Sequence, residues 1–290
     1  MTIKELLAAS NIDRKEGEII LSSLLACRRE WLLSHDEEMV DEERCLAFQE
    51  ASKKRQAGWP VAYLCGRQGF YGYEFKVSKD VLIPRPETEL LVDQILAALT
   101  RQEQAALLAD IGTGSGAIII SCAKNEKIAD LKANDLLTIE ALDVSKSALD
   151  IAKQNAVNNE VSHLINFYES DLLEKRLKDW QNFNGRLFLA ANLPYLSQEQ
   201  IIASPSIQEE PRQALDGGGN DGLEIYCRLF KQLSDNGLWT KISLLICEID
   251  PSQSIPISEK AKTAIGDSSL EISIKKDLSA KDRFLIIKPR

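Results

Sequence analysis

The sequence predicts an α/β protein. It should hold a Rossmann-like sheet of seven mostly parallel strands, preceded by a small helical domain and a β-hairpin linker. Three observations carry this. From Leu107 onward, apolar runs of strand length alternate with amphipathic stretches of helix length, and two more strand-like runs close the chain. A glycine loop, Gly112 to Gly116, joins the first of those runs to a helix. Ahead of them the pattern is helical to about residue 57, then aromatic and strand-like. The expected domains are 1–60 (helical), 61–83 (linker) and 84–290 (sheet domain).

The bulk properties narrow the function. With 290 residues, 44% hydrophobic and 27% charged, the composition is that of a soluble globular protein. No apolar run approaches a membrane span and the N-terminus has no signal-peptide core, so neither membrane nor export is expected. The six cysteines lie far apart with no C-x-x-C pair. They read as reduced thiols of a cytoplasmic protein, not as a disulfide or zinc framework. The only histidines, His35 and His163, stand in polar surroundings and read as surface residues, which sets aside His-based triads and metals. A net charge of -9 argues against binding nucleic-acid backbones directly. A monomer is expected.

Taken in order, Thr2 caps a first helix carrying Leu6 and Leu7. Asp13 caps a second, with Ile19, Ile20, Leu24 and Leu25 inward. A third spans Asp41 to Gln56, with Cys45, Leu46, Phe48 and Ala51 inward, and Gly58 and Pro60 stop it. Phe70, Tyr73, Phe75 and Val77 surround Tyr71-Gly72 as a hairpin. Pro86 opens the next helix, with Glu87 and Glu89 at its positive end and Leu90, Leu91, Ile95, Leu96 and Leu99 as its stripe. Arg85 and Thr88 are candidates to line a pocket beside it.

The strand Leu107–Ile111 leads into Gly112, Thr113, Gly114, Ser115 and Gly116, and the helix begins at Ala117. Glycines there let the backbone approach a ligand and supply positive φ. The spacing also suits a dinucleotide, but Asp110 before the loop would repel a pyrophosphate and suits a cationic amino-acid moiety. A second strand ends at Asp143, placed to accept two ribose hydroxyls. The polar run from Lys124 to Asp135 between them reads as a surface insertion. Ser145 caps a helix, a third strand lies near Leu164–Tyr168, and Asp171 and Leu172 close it. Asp171 reads equally well as an adenine contact or as a turn residue.

Arg186–Ala191 is the next buried strand and ends in Asn192-Leu193-Pro194-Tyr195. On its own this is a strand followed by a proline turn. The Asn oxygen and a neighbouring carbonyl also make two acceptors for one planar -NH2 group, with Tyr195 offering a flat face. A glycine-rich loop (215–222), an amphipathic helix from Leu223, a strand at Ile242–Ile249 and two closing strands complete the chain.

These motifs together resemble the release-factor glutamine methyltransferases, the HemK/PrmC family, over nearly the whole length. The resemblance rests on Pro60–Leu64, Val81–Glu89, Asp110–Gly116, Asn192–Tyr195, Glu210-Pro211 with Leu215–Gly218, and Lys276–Arg283. It implies a class I S-adenosylmethionine-dependent methyltransferase domain, no metal, and S-adenosylhomocysteine as product. It implies transfer to the side-chain amide of the Gln in the Gly-Gly-Gln motif of class-I release factors. By position, Asp110 and Gly112 to Gly116 would hold the methionine part, Asp143 the ribose, and Asp171 and Leu172 the adenine. Asn192, Leu193, Pro194 and Tyr195 would hold the glutamine amide, with Asn192 also beside the cofactor. The family's second site residue is usually Pro; Leu193 has the same carbonyl and costs of order 1 kcal/mol or less in loop order. Other readings are a ribosomal-protein glutamine methyltransferase, an adenine-N6 DNA methyltransferase, a nicotinamide-dependent oxidoreductase, and a non-catalytic release-factor-binding protein.

Overall fold

The computed structural model describes residues 1–266 and 269–290. Its N-terminal part is helical. α1 (Ile3–Ala9) begins in a reciprocal cap: the Thr2 hydroxyl takes the Glu5 N–H and the Glu5 carboxylate takes the Thr2 N–H. Asp13 caps α2 (Arg14–Leu24), and Asp41 caps α4 (Glu42–Gln56). Between them lies α3 (Arg29–Ser34), too short to show a period in the sequence. Ile3, Leu6, Ile20, Leu21, Leu32, Val40, Cys45 and Phe48 form the local core. Two residues expected inward face solvent, Ile19 at 42% and Leu46 at 60% exposure. A helix turns about 100° per residue, so with Ile20 and Cys45 inward their neighbours leave the stripe.

The first residues of the expected linker, 61–65, precede the hairpin. Val61–Cys65 is helical, α5, and Val61, Leu64 and Cys65 pack on the N-terminal core. Gly66 ends it at φ 68°. The hairpin is β1 (Arg67–Phe70) and β2 (Tyr73–Lys76), turning at Tyr71 and Gly72 with positive φ at both.

The sheet domain opens with a short turn at Pro86–Thr88 and α6 (Glu89–Leu99). Then come β3 (Ala106–Ile111), α7 (Ala117–Lys124), α8 (Ala129–Ala133), β4 (Leu137–Asp143), α9 (Lys146–Asn158) and β5 (Ile165–Glu169). α10 (Leu177–Asn182), β6 (Arg186–Ala191), α11 (Gln198–Ile202), α12 (Glu224–Asp235) and β7 (Ile242–Glu248) follow. The chain closes with α13 (Ser254–Ile265), β8 (Leu270–Lys276) and β9 (Asp282–Pro289). The segment 124–135 is more than a surface insertion, because Ile128 and Leu131 are buried in the main core.

The strand order is β5-β4-β3-β6-β7-β9-β8. The first five run parallel, and β9 is antiparallel to both β7 and β8. One face is covered by α6 and α7 with Phe70 and Phe75 of the hairpin. The other is covered by α12 and α13, through residues such as Tyr226, Phe230 and Ile257. The chain steps from β3 out to β5 and returns to the far side of β3, so the order reverses between β3 and β6. Ligand sites of open α/β sheets form at that point, beyond the carboxyl ends of the strands.

One buried side chain ties the hairpin to this region. Asn155 of α9 is fully buried, accepts from the Lys76 N–H at 2.7 Å, and donates to the carbonyls of Lys76 and Ser115.

Candidate active site

Ile111 of β3 pairs with Leu142 of β4 on one side and Ala191 of β6 on the other. The residues that follow these three therefore emerge together at the reversal point. A cavity of about 350 Å³ opens there. Gly112, Thr113, Gly114 and Ser115 form one wall, and Asp143, Asp171 and Leu172 another. Thr88, Asn192, Leu193 and Pro194 close it. Arg228 of α12 also lines it and pairs with Asp171, a partner no local sequence pattern points to.

Four expected site residues lie elsewhere. Gly116 sits behind the cavity, where a Cβ would come within 2.8 Å of Ile120 Cδ1, so it serves helix packing. Asp110 is fully buried beneath the loop and takes the Thr113 hydroxyl at 2.7 Å. Burial pushes its pKa up to about 7; the Thr113 bond opposes this, the Asp143 charge adds to it, and the Ile119 N–H opposes it. Arg85 and Tyr195 line a second cavity of about 220 Å³, which shares Asn192 and Leu193 with the first. Arg85 pairs there with the buried Glu210, which also takes the Ile83 N–H. Burial pushes the Tyr195 phenol up, as does the Glu248 charge.

Asp143 has the geometry of a hydroxyl acceptor. One oxygen takes the Gly114 N–H and the other the Ser145 N–H, each at 2.8 Å. Each oxygen keeps a free lone pair. Burial raises its pKa, and the Ser145 and Gly114 amides oppose that. Gly114 lines the cavity at φ 55° with no protein atom within 4 Å of where a Cβ would stand. This is a cradle shaped for a ligand, and with the Asp143 acceptors it fits a nucleoside carrying an amino-acid arm.

Asn192 is held in one orientation. Its Nδ2 donates to Thr88 Oγ1 at 3.4 Å, and Thr88 in turn donates to Glu248 at 2.6 Å. Among the described residues no protein group donates to Asn192 Oδ1 or to the Leu193 carbonyl. Leu193 packs its Cδ2 2.9 Å from where a Gly112 Cβ would be, so glycine is needed at 112. The Tyr195 carbonyl is anchored by Gln253 at 2.7 Å. Glu248 was not among the expected site residues. Its signal was available: like Asp143, it is an acid at the end of an apolar strand.

The fold and this cavity define a class I methyltransferase. Residues 2–66 match the PrmC N-terminal domain and residues 86–219 the methyltransferase small domain. The release factor glutamine methyltransferase of Rhodopirellula baltica is 36% identical over 288 residues, 95% of this chain and 89% of that protein. The Bacillus cereus protein of the same name is 33% identical over 277 residues, 94% of this chain and 92% of that one. The chain belongs to the release factor glutamine methyltransferase family. The N-terminal domain of human METTL16, solved in complex with SAH, shares the fold, with a TM-score of 0.52 at 15% identity over 92% of this chain and 93% of that one.

Proposed function

We propose that this protein transfers a methyl group from S-adenosylmethionine to the side-chain amide nitrogen of the glutamine in the Gly-Gly-Gln motif of class-I peptide release factors. The observation that carries this is that Asn192 and Leu193 line both cavities while no donor among the described residues reaches Asn192 Oδ1 or the Leu193 carbonyl. Two acceptors side by side suit a planar -NH2 group and suit neither a phosphate nor a hydride acceptor.

When bound, S-adenosylmethionine supplies a methyl group on a sulfonium, an electrophile that needs no metal. The protein's share is placement. Asn192 Oδ1 and the Leu193 carbonyl each take one N–H of the substrate amide and aim the nitrogen lobe at the donor site. They also stabilise the positive charge that grows on nitrogen, the reverse of an oxyanion hole. Transfer would form an N–C bond as the C–S electron pair is left on sulfur, and the acidic N-methyl amide would give its extra proton to water. No general base is needed, and both histidines lie exposed on the surface. Asp143 would hold the ribose, the Gly112–Ser115 loop the amino-acid arm, and Asp171 and Leu172 the adenine. We place the enzyme in the cytoplasm as a monomer acting on a protein, without direct contact to nucleic acid or membrane. No helix among the described residues is long and apolar enough to cross a membrane.

The test is mass spectrometry of a purified class-I release factor incubated with the protein and S-adenosylmethionine. One added methyl on the Gly-Gly-Gln glutamine, absent with Asn192→Ala, is the expected result. Methylation of ribosomal protein or DNA instead would move the function to a cousin. Donor binding with no transfer would favour a non-catalytic binding protein.

A further inference from the structure

We propose that Glu248 is a positioning residue of the transfer step, which acts through the Thr88 hydroxyl to fix which end of the Asn192 amide faces the substrate. This rests on the proposed role of Asn192 as the acceptor for the substrate amide.

The topology brings the three residues together. Ala191 pairs with Cys247 across β6 and β7, so Asn192 and Glu248 are the next residues on adjacent strands. Thr88 enters from the turn before α6, 160 residues away from Glu248 in sequence. Glu248 Oε2 accepts from Thr88 Oγ1 at 2.6 Å. A hydroxyl has one proton. With it spent on the carboxylate, Thr88 can only accept from Asn192, and the Nδ2 contact at 3.4 Å satisfies that direction. The amide nitrogen is thereby turned to Thr88, and Oδ1 is the end left for a ligand.

The direction matters because the substrate group is itself a donor. A flipped Asn192 would set -NH2 against -NH2 and lose the acceptor. An exposed amide would be reoriented by water at little cost. Thr88 and Glu248 are only 3% and 2% exposed, so no bulk water competes for the hydroxyl. Glu248 has a second task. Its Oε1 accepts from the Tyr195 hydroxyl at 3.3 Å, so both of its contacts are hydroxyl donors. A carboxylate accepts from two hydroxyls at once; an amide of the same shape has only one accepting atom. Burial raises the Glu248 pKa; the Thr88 hydroxyl, the Arg283 charge on β9 and the Tyr195 hydroxyl favour the carboxylate against that, Glu87 beside Thr88 opposes it, and Arg283 is itself held by Asp277.

The experiment is a double-mutant cycle on release-factor methylation, read as kcat, KM and donor affinity by calorimetry. Thr88→Val removes the hydroxyl at similar volume, and Thr88→Ser restores it. Thr88→Val is expected to lower kcat roughly tenfold or more, with KM and donor affinity within about twofold, and Thr88→Ser to recover most of it. In the Asn192→Ala background, Thr88→Val is expected to add almost nothing. Glu248→Met keeps a similar volume with no oxygen acceptor and is expected to fall in parallel with Thr88→Val, so it decides the matter if Thr88→Val does not fold. An equal loss in both backgrounds, or a loss confined to KM or donor affinity, overturns the proposal. So do wild-type rates in Thr88→Val and Glu248→Met when Asn192→Ala is impaired. Near-wild-type turnover in Asn192→Ala is different: it overturns the role of Asn192, and this proposal with it.

Discussion

The Leu193 N–H donates to the Tyr226 hydroxyl across 3.3 Å, a contact that a proline at position 193 cannot make. Tyr226 is fully buried on α12, and its hydroxyl also meets the carbonyls of Glu248 and Ala191. The restraint that a second proline ring would give the site is supplied here by one phenol, which ties the motif to the ends of both β6 and β7.

Tyr226→Phe is therefore expected to lower kcat about threefold to tenfold, the worth of one buried hydrogen bond, with donor affinity unchanged. In a Leu193→Pro background the same substitution should change kcat by less than about twofold. Equal losses in the two backgrounds would show that the phenol acts on something other than Leu193.

Asn192→Ala removes one of two contacts to the charge that develops on nitrogen. A fall in kcat of roughly 10² to 10³ is expected, with little change in donor affinity. Single-turnover methylation followed by mass spectrometry measures it, and near-wild-type turnover would sink the assignment.

Asp143→Ala acts at the donor instead. It removes the acceptors proposed for the ribose and the anchor of the Gly114 and Ser145 amides. Donor affinity by calorimetry should weaken roughly tenfold to a hundredfold. Unchanged affinity would count against the ribose role.

Asp110 gives a pH signature. Its folded pKa is raised from 3.8 to about 7, mainly by burial. An acid raised on folding stabilises the folded state below its unfolded value, and that contribution is lost as the pH climbs towards about 7. Asn at this position does not ionise. Asp110→Asn should gain on the wild type in melting temperature between pH of about 4 and about 7, and no further above that. A gap that does not change with pH would mean the carboxyl is already charged at low pH.

The sheet domain was legible because its signals are local. Apolar runs such as Arg186–Ala191 and the Gly112–Gly116 loop carry their structure within a few residues, and both formed where expected. α3 and α5 are too short for a period to show. α13 buries only Ile257 and Ala261 and carries Pro256, so its pattern is faint. The same division runs through the site. Asn192 and Asp143 announce themselves as polar residues at strand ends. Tyr226 and Arg228 take their meaning from partners on other elements, and Asp110 and Tyr195 sit one layer away from the main cavity for the same reason.

Asn155 has a mechanical consequence. Its one amide clasps the main chain of Lys76 and the carbonyl of Ser115, so the hairpin that carries the N-terminal helices and the loop of the donor site share a single fastening. The hairpin cannot swing outward at Lys76 without breaking both of its bonds to the side chain that also holds Ser115. The Lys76 amide is a natural gauge of that joint: its exchange with heavy water runs only as fast as the clasp opens.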